Sequence, residues 1–154
     1  QNYHGVVRCA LGWGCWKTYL GRPEEDYTRR AAMQVLGNGL HDADHHEAAL
    51  SVKEAELAMK LRLGAPIDHI LNAQSNLAGT YRSLGRLGDC LRMQRDVYSG
   101  NLKLYGEEHS DCLAAANNCV LCLVDLKRFE EAKALLRRTI PVARRVLGDG
   151  NDAT

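Results

Sequence analysis

Three glycines stand 42 residues apart in this chain, Gly64, Gly106 and Gly148, and each follows a large side chain, Leu63, Tyr105 or Leu147. The same step relates Asp26, Asp68 and Ser110, then His45, Leu87 and Phe129, then Ala48, Cys90 and Ala132. Residue classes that recur in register across three copies define an internal repeat, which constrains the fold more tightly than any isolated motif. A unit of this length cannot bury its apolar face alone, so copies must stack to make a core.

Periodicity inside each copy is helical. In the middle copy Ile70, Leu77, Tyr81 and Leu84 share one face, and Leu113, Ala116, Val120, Leu123 and Leu126 match them in the third. Asp26, Asp68 and Ser110 read as N-caps, since each side chain can accept from a free early backbone N–H. Pro23 and Pro66 precede them in the linkers. Short polar breaks at Ala43-Asp44, Gly85-Arg86 and Lys127-Arg128 then start a second helix, and so short a gap packs the two antiparallel. The second helix of the third copy carries the stripe Phe129, Ala132, Leu136, Ile140 and Ala143, with Glu130, Glu131, Lys133, Arg137 and Arg138 pointing away. Pro141 should bend it, and Gly148 should end it in the left-handed conformation.

The organisation follows: residues 1–21 as the second helix of a preceding repeat, 22–64 as a degenerate repeat one, 65–106 as repeat two, 107–148 as repeat three, and 149–154 as a linker toward another repeat. With no initiator methionine and both ends falling inside an array, the chain reads as a fragment. Trp13 and Trp16 are expected to be core or capping residues of the preceding repeat. In repeat one, Gly37-Asn38-Gly39 interrupts the first helix, at about 1 kcal/mol per interior glycine. Gly39 stands where Tyr81 and Leu123 supply a packing side chain, and Asp42 where Leu84 and Leu126 do. This helix is therefore expected to be the least stable of the three.

With 154 residues the chain has room for one domain and a moderate core. Hydrophobic content is 45% but aromatic content only 6%, a balance rich in alanine and leucine that favours helix. A formal net charge of +1 makes neither nucleic acid nor an anionic membrane an obvious partner. No apolar run approaches the roughly 20 residues of a membrane span, and the N-terminal stretch lacks signal-peptide order. The six cysteines, Cys9, Cys15, Cys90, Cys112, Cys119 and Cys122, do not follow the repeat, and Cys90 shares its column with alanines. Reduced, buried thiols in an intracellular, cytoplasmic protein are the expectation.

Tyr81 followed by Gly85-Arg86-Leu87 resembles the tetratricopeptide pattern, and Ala116-Asn117-Asn118 with the run Leu126 to Leu136 resembles it more closely. That family usually repeats at roughly 34 residues. A longer step with a Leu-Gly exit, an Asn-Asn pair and a Phe-Glu-Glu-Ala turn is similar to the variant found in kinesin light chains, its extra length being about one more turn per helix. The resemblance covers about Pro23 to Gly148, more weakly in repeat one. It implies an all-α, right-handed superhelical array of antiparallel helix pairs, a tetratricopeptide-like α-solenoid. It also implies a non-catalytic protein–protein interaction scaffold whose first helices line a concave groove for an extended peptide or partner segment.

Gln34, Asn76 and Asn118 place a carboxamide in one column of all three copies. A carboxamide both donates and accepts, so it can pair with the backbone of an extended peptide, the role the resemblance carries onto these positions. Arg30 and Arg82 could grip an acidic side chain or terminal carboxylate. Asn72 and Asn117 lie on the same stripe, and Ser83 with Gly79 leaves room for a bulky anchor. The alternative role for the amides is bridging adjacent helices.

Rival signals are weaker. The run His41 to Glu47 is dense in metal donors, but it lies at a turn, lacks an H-E-x-x-H spacing and includes His45 of the supposed core column. Cys119-x-x-Cys122 lies mid-helix, where packing is favoured over redox chemistry. Arg137, Arg138, Arg144 and Arg145 read as a solvated outer face. No acid–base pair, activated nucleophile or phosphate-cradling loop is present, so neither catalysis nor a cofactor is expected. End-to-end self-association or a spacer role is the runner-up.

Overall fold

The computed structural model describes residues 3–148. These form seven α-helices and no strand: α1 (Tyr3–Tyr19), α2 (Tyr27–Asp42), α3 (His46–Arg62), α4 (Ile67–Ser83), α5 (Leu87–Tyr105), α6 (Ser110–Asp125) and α7 (Phe129–Leu147). The fold is all-α, with α2, α4 and α6 as the first helices of the three copies and α3, α5 and α7 as the second. The linker expected at 149–154 lies outside the described residues. No helix among the described residues is long and apolar enough to cross a membrane. The chain divides into two compact units, Gln1–Gly85 with α1 to α4 and Arg86–Thr154 with α5 to α7.

The repeated glycines do what their spacing requires. Gly64, Gly106 and Gly148 have φ of +62°, +84° and +75°, left-handed conformations that turn the chain out of α3, α5 and α7. Helix starts follow the repeat less strictly. Asp26 caps α2, its Oδ1 accepting from the Thr28 N–H at 2.7 Å and the Arg29 N–H at 3.3 Å. Asp68 and Ser110 are not caps. Pro66 is the N-cap of α4, and His109 caps α6 by accepting from the Asp111 N–H at 3.2 Å. The linkers differ in sequence while the exits stay in register, so the same column falls before, inside or at the first residue of a helix. The same reasoning corrects the His45, Leu87 and Phe129 column. His45 and Phe129 are exposed and Leu87 half-buried, because all three sit at helix starts rather than in the core.

In the first unit, Cys9 of α1, Leu36 and Leu40 of α2 and Ala49 of α3 form a core, with Trp16, Ala43 and Val52 packed against it. Trp13 is exposed. The glycines of repeat one are not defects. α2 runs unbroken through Gly37-Asn38-Gly39, and a Cβ built on Gly39 would lie 2.6 Å from the Arg8 carbonyl oxygen and 2.8 Å from the Cys9 Cα. Gly12 faces the Leu36 Cα at 2.7 Å on the same test, and Gly5 faces the Asp42 carbonyl. α1 and α2 thus meet backbone to backbone across small residues. Gly39 replaces a packing side chain because the neighbouring helix occupies that space, and Asp42 pairs with Arg8 at 2.5 Å in place of an apolar contact.

In the second unit the core is Leu91 and Val97 of α5, Ala115, Ala116, Cys119, Val120 and Leu123 of α6, and Ala132 and Val142 of α7. α7 continues through Pro141 to Leu147. The stripe expected along it is only partly buried, since Phe129 is 52% exposed and Ile140 43% exposed. An i, i+3, i+4 row drifts around a helix, and α7 is buried at Ala132 and Val142 rather than along the whole row.

The expectation that all six thiols are reduced is corrected. Cys90 of α5 and Cys122 of α6 are joined in a disulfide, their Cα atoms 6.7 Å apart and within bridging range. Comparing equivalent columns of different repeats hid this pair, because α5 and α6 become neighbours only when the helices pack. Cys9, Cys15, Cys112 and Cys119 are free. Burial pushes the Cys119 thiol up to about 11, against the opposing influence of Arg95.

Candidate functional site

The first unit holds a cleft of about 340 Å³ between the N-terminal halves of α2 and α4. From α2, Tyr27, Arg30, Ala31 and Gln34 fall at i, i+3, i+4 and i+7, one continuous helical face. From α4, His69 and Asn72 face them one turn apart, while Lys60 of α3 and Ala65 of the following connection close the end. The start of α2 is fixed by Asp26, whose carboxyl falls to about 2 because the Thr28 hydroxyl, the backbone N–H groups and Arg22 all favour its charged form. That cap sets the angle at which the first turn presents Tyr27 and Arg30.

None of the residues lining the cleft is acidic, and three are basic: Arg30, Lys60 and His69. Gln34 and Asn72 add donors and acceptors beside them, and the two alanines leave space between. Such a lining suits a polar chain carrying a negative group: carboxamides pair with peptide N–H and C=O, and a guanidinium donates paired N–H bonds to a carboxylate.

Arg30, Gln34 and Asn72, all read from the sequence, line this one cleft. Asn76, Arg82 and Ser83 lie further along α4 and do not line it. The Asn76 side chain is half-buried, and its backbone carbonyl accepts from Lys53 Nζ at 3.3 Å and from Thr80 Oγ1 at 3.4 Å. Arg82 and Ser83 are exposed, and the Ser83 hydroxyl donates to the Gly79 carbonyl at 3.3 Å. Asn117 and Asn118 belong to the second unit, on α6, the first exposed and the second half-buried. Tyr27, Lys60, Ala65 and His69 escaped sequence reasoning. Only the four-residue connection after α3 could have pointed to Lys60 and Ala65, by bringing the end of α3 against the start of α4.

Beneath the cleft α3 carries an unusual inner face. Lys53 is 4% exposed and Glu56 2% exposed, and Glu56 pairs with Lys60 at 2.7 Å. Burial lowers the Lys53 pKa, with Glu56 and Asp42 opposing. Gly37 makes room for this residue, since a Cβ there would lie 3.1 Å from the Lys53 Cγ.

At the His-rich turn His41 is half-buried, its Nδ1 3.3 Å from the Thr80 hydroxyl and its ring 5.0 Å from that of His46. Burial, then Lys53 and His46, lowers its pKa. His45 and Asp44 point outward, and among the described residues no three His, Cys, Asp or Glu side chains converge as a metal site.

Comparison with known proteins defines the class. The model of the tetratricopeptide repeat family matches residues 69–153, more than half of the chain. The chain belongs to that family. No curated protein sequence matches it significantly. Among solved structures, one of a Podosopora anserina protein described as a kinesin light chain with nearly identical tetratricopeptide-like repeats superposes with a TM-score of 0.80 at 17% identity, covering 92% of this chain and 68% of that one. BtubC from P. vanneervenii gives 0.70 at 16% identity, over 96% of this chain and 59% of that one. A Rap protein complexed with competence and sporulation factor gives 0.73 at 17% identity, over 97% and 40%. At such identities the likeness speaks for the fold: a tetratricopeptide α-solenoid of the kinesin-light-chain type.

Proposed function

We propose that the chain is a non-catalytic protein-interaction scaffold that holds an extended peptide segment, with the α2–α4 cleft as its principal contact. The observation that carries this reading is the cleft lining: one face of α2 and one of α4 place Arg30, Gln34 and Asn72 around an open space with basic side chains and no acid. Arg30 would receive a carboxylate, and Gln34 and Asn72 the peptide backbone. Asn76, Arg82 and Ser83 would extend the contact along α4, and Asn117 and Asn118 would serve in the same way on α6. The Rap protein of similar fold, complexed with competence and sporulation factor, supports a binding role.

A peptide-display selection on the purified protein tests the reading, with a Gln34→Ala/Asn72→Ala variant as control. Peptides enriched on the wild type should be lost from the variant. Equal enrichment on a variant with unchanged helicity would refute the cleft as the site.

A second reading, self-association, has one observation in its favour. α1 exposes Tyr3, Val6, Val7 and Leu11, with Val6 62% exposed. A mass in solution that rises with concentration would support it, and a constant monomer mass would end it. An intracellular setting belongs to the same proposal on the strength of the four free cysteines. The Cys90–Cys122 bond is the observation against it.

A further inference from the structure

α2 and α4 line the cleft with their N-terminal halves, and a second contact ties their C-terminal halves together. There His41 Nδ1 of α2 lies 3.3 Å from the hydroxyl of Thr80, a fully buried residue of α4. The same hydroxyl reaches the Asn76 carbonyl at 3.4 Å, and that carbonyl also accepts from Lys53 Nζ of α3 at 3.3 Å. Lys53 is itself buried and seated against Gly37 of α2. Three helices thus meet in one small polar cluster.

The cluster already holds one buried cation, the Lys53 ammonium, and the carboxylates around it are engaged elsewhere. Glu56 of α3 pairs with Lys60 at 2.7 Å, and Asp42 of α2 pairs with Arg8 of α1. Asp44, in the turn, is exposed and stands 3.7 Å from His46 Nε2. From α3, the His46 ring also faces the His41 ring at 5.0 Å, while α4 meets His41 with the neutral Thr80 hydroxyl. A neutral imidazole satisfies that hydroxyl as donor or as acceptor. A proton added to His41 would instead set a second cation near Lys53 in a half-buried site. Burial, Lys53 and His46 all oppose that charge, and Asp42 and Asp44 offset them only in part.

We propose that His41, Thr80 and Lys53 form an acid-released latch: neutral His41 fastens the C-terminal half of α4 to α2 and α3, and protonated His41 lets it go. The released form takes up the proton at the ordinary imidazole value of 6.5, and the fastened form only at lower pH. The latch is therefore fully closed above that value and loosens as pH falls below it. One such group biases the opening by no more than about tenfold at one pH unit below 6.5. The movement is a local opening, and the rest of the molecule need not unfold with it. Because α2 and α4 build the cleft at their other ends, the latch governs how firmly that cleft is held, whatever occupies it.

The test is amide hydrogen exchange, read by mass spectrometry on the whole protein at about pH 7.5 and about pH 5.5, with each rate normalised to that of an unstructured chain at the same pH. At the lower pH the wild type should lose protection across residues 76–83, by up to about tenfold, while α7 stays unchanged. His41→Gln keeps a hydrogen-bonding group opposite Thr80 without a titrating ring, so its protection of this segment should be the same at both pH values. Lys53→Met removes the neighbouring cation and should shrink the wild-type response, which answers the question if His41→Gln does not fold. A full response in folded His41→Gln would overturn the latch. So would equal loss in α4 and α7, which marks global unfolding, or no loss in either. An unchanged response in Lys53→Met would strike Lys53 from it.

Discussion

Replacing Gly39 by alanine separates two opposed expectations. On helix propensity alone the change should stabilise, by about 1 kcal/mol for an interior glycine. The packing of α1 on α2 reverses that sign. The new Cβ would lie 2.6 Å from the Arg8 carbonyl oxygen, and that atom is backbone, which cannot swing aside. Restoring ordinary contact requires α1 to withdraw by about 0.8 Å, enough to forfeit a quarter to a half of the dispersion energy along the contact. Overpacking of this kind costs about 1–3 kcal/mol, so the net effect runs from about zero to a loss of about 2 kcal/mol after the propensity gain. Gly79 of α4 is the internal control, because nothing lies within 4 Å of its added Cβ. Gly79→Ala should stabilise by about 0.5–1 kcal/mol. For a chain of this size the two variants should differ in Tm by roughly 2–10 °C. Thermal and urea unfolding followed by far-ultraviolet circular dichroism reads both. A Gly39→Ala variant that gains as much stability as Gly79→Ala would show that α1 does not press on α2 in solution.

Three further outcomes follow from the charged and sulfur-bearing groups. Asp26 is held at about 2, so its contribution to stability is present above its ordinary value near 3.8 and is lost as pH falls through about 2; the unfolding midpoint of Asp26→Ala should lie below wild type at neutral pH and converge with it toward pH 2. His41 is a base with a lowered pKa, so the unfolded chain binds the extra proton and stability falls as pH drops below about 6.5. His41→Gln should flatten that part of a stability–pH curve, and an unchanged slope would assign it to another group. Under denaturing, non-reducing conditions four cysteines should react and one disulfide-linked peptide pair, Cys90 with Cys122, should appear by mass spectrometry. In the native state Cys15 should label fastest and Cys119, buried with a pKa of about 11, among the slowest; six reactive thiols would restore the reduced state read from the sequence.

The helix order was legible because Gly64, Gly106 and Gly148 mark exits, and an exit glycine is a local backbone requirement that needs no knowledge of neighbours. The glycines of α2 were misread for the opposite reason. Gly39 is small because of Arg8 and Cys9, some thirty residues away, and a propensity scale has no term for that contact. Within the site, Gln34 was found because its carboxamide recurs on the first helices, and Arg30 and Asn72 because they lie on the same non-core stripe. Lys60 and His69 were not, because a cleft belongs to the juxtaposition of helices and not to any one of them. Lys53 and Glu56 carried no signal in the sequence, which alone cannot show that α3 turns them inward.

Chemical-shift mapping of the isotope-labelled protein with a display-selected peptide tests the central claim most directly. The account predicts saturable shifts in the amides of Arg30, Gln34, Lys60 and Asn72, with the exposed residues Glu130 and Lys133 of α7 unmoved. Shifts confined to α1 or α7, with the cleft silent at saturating peptide, would contradict it.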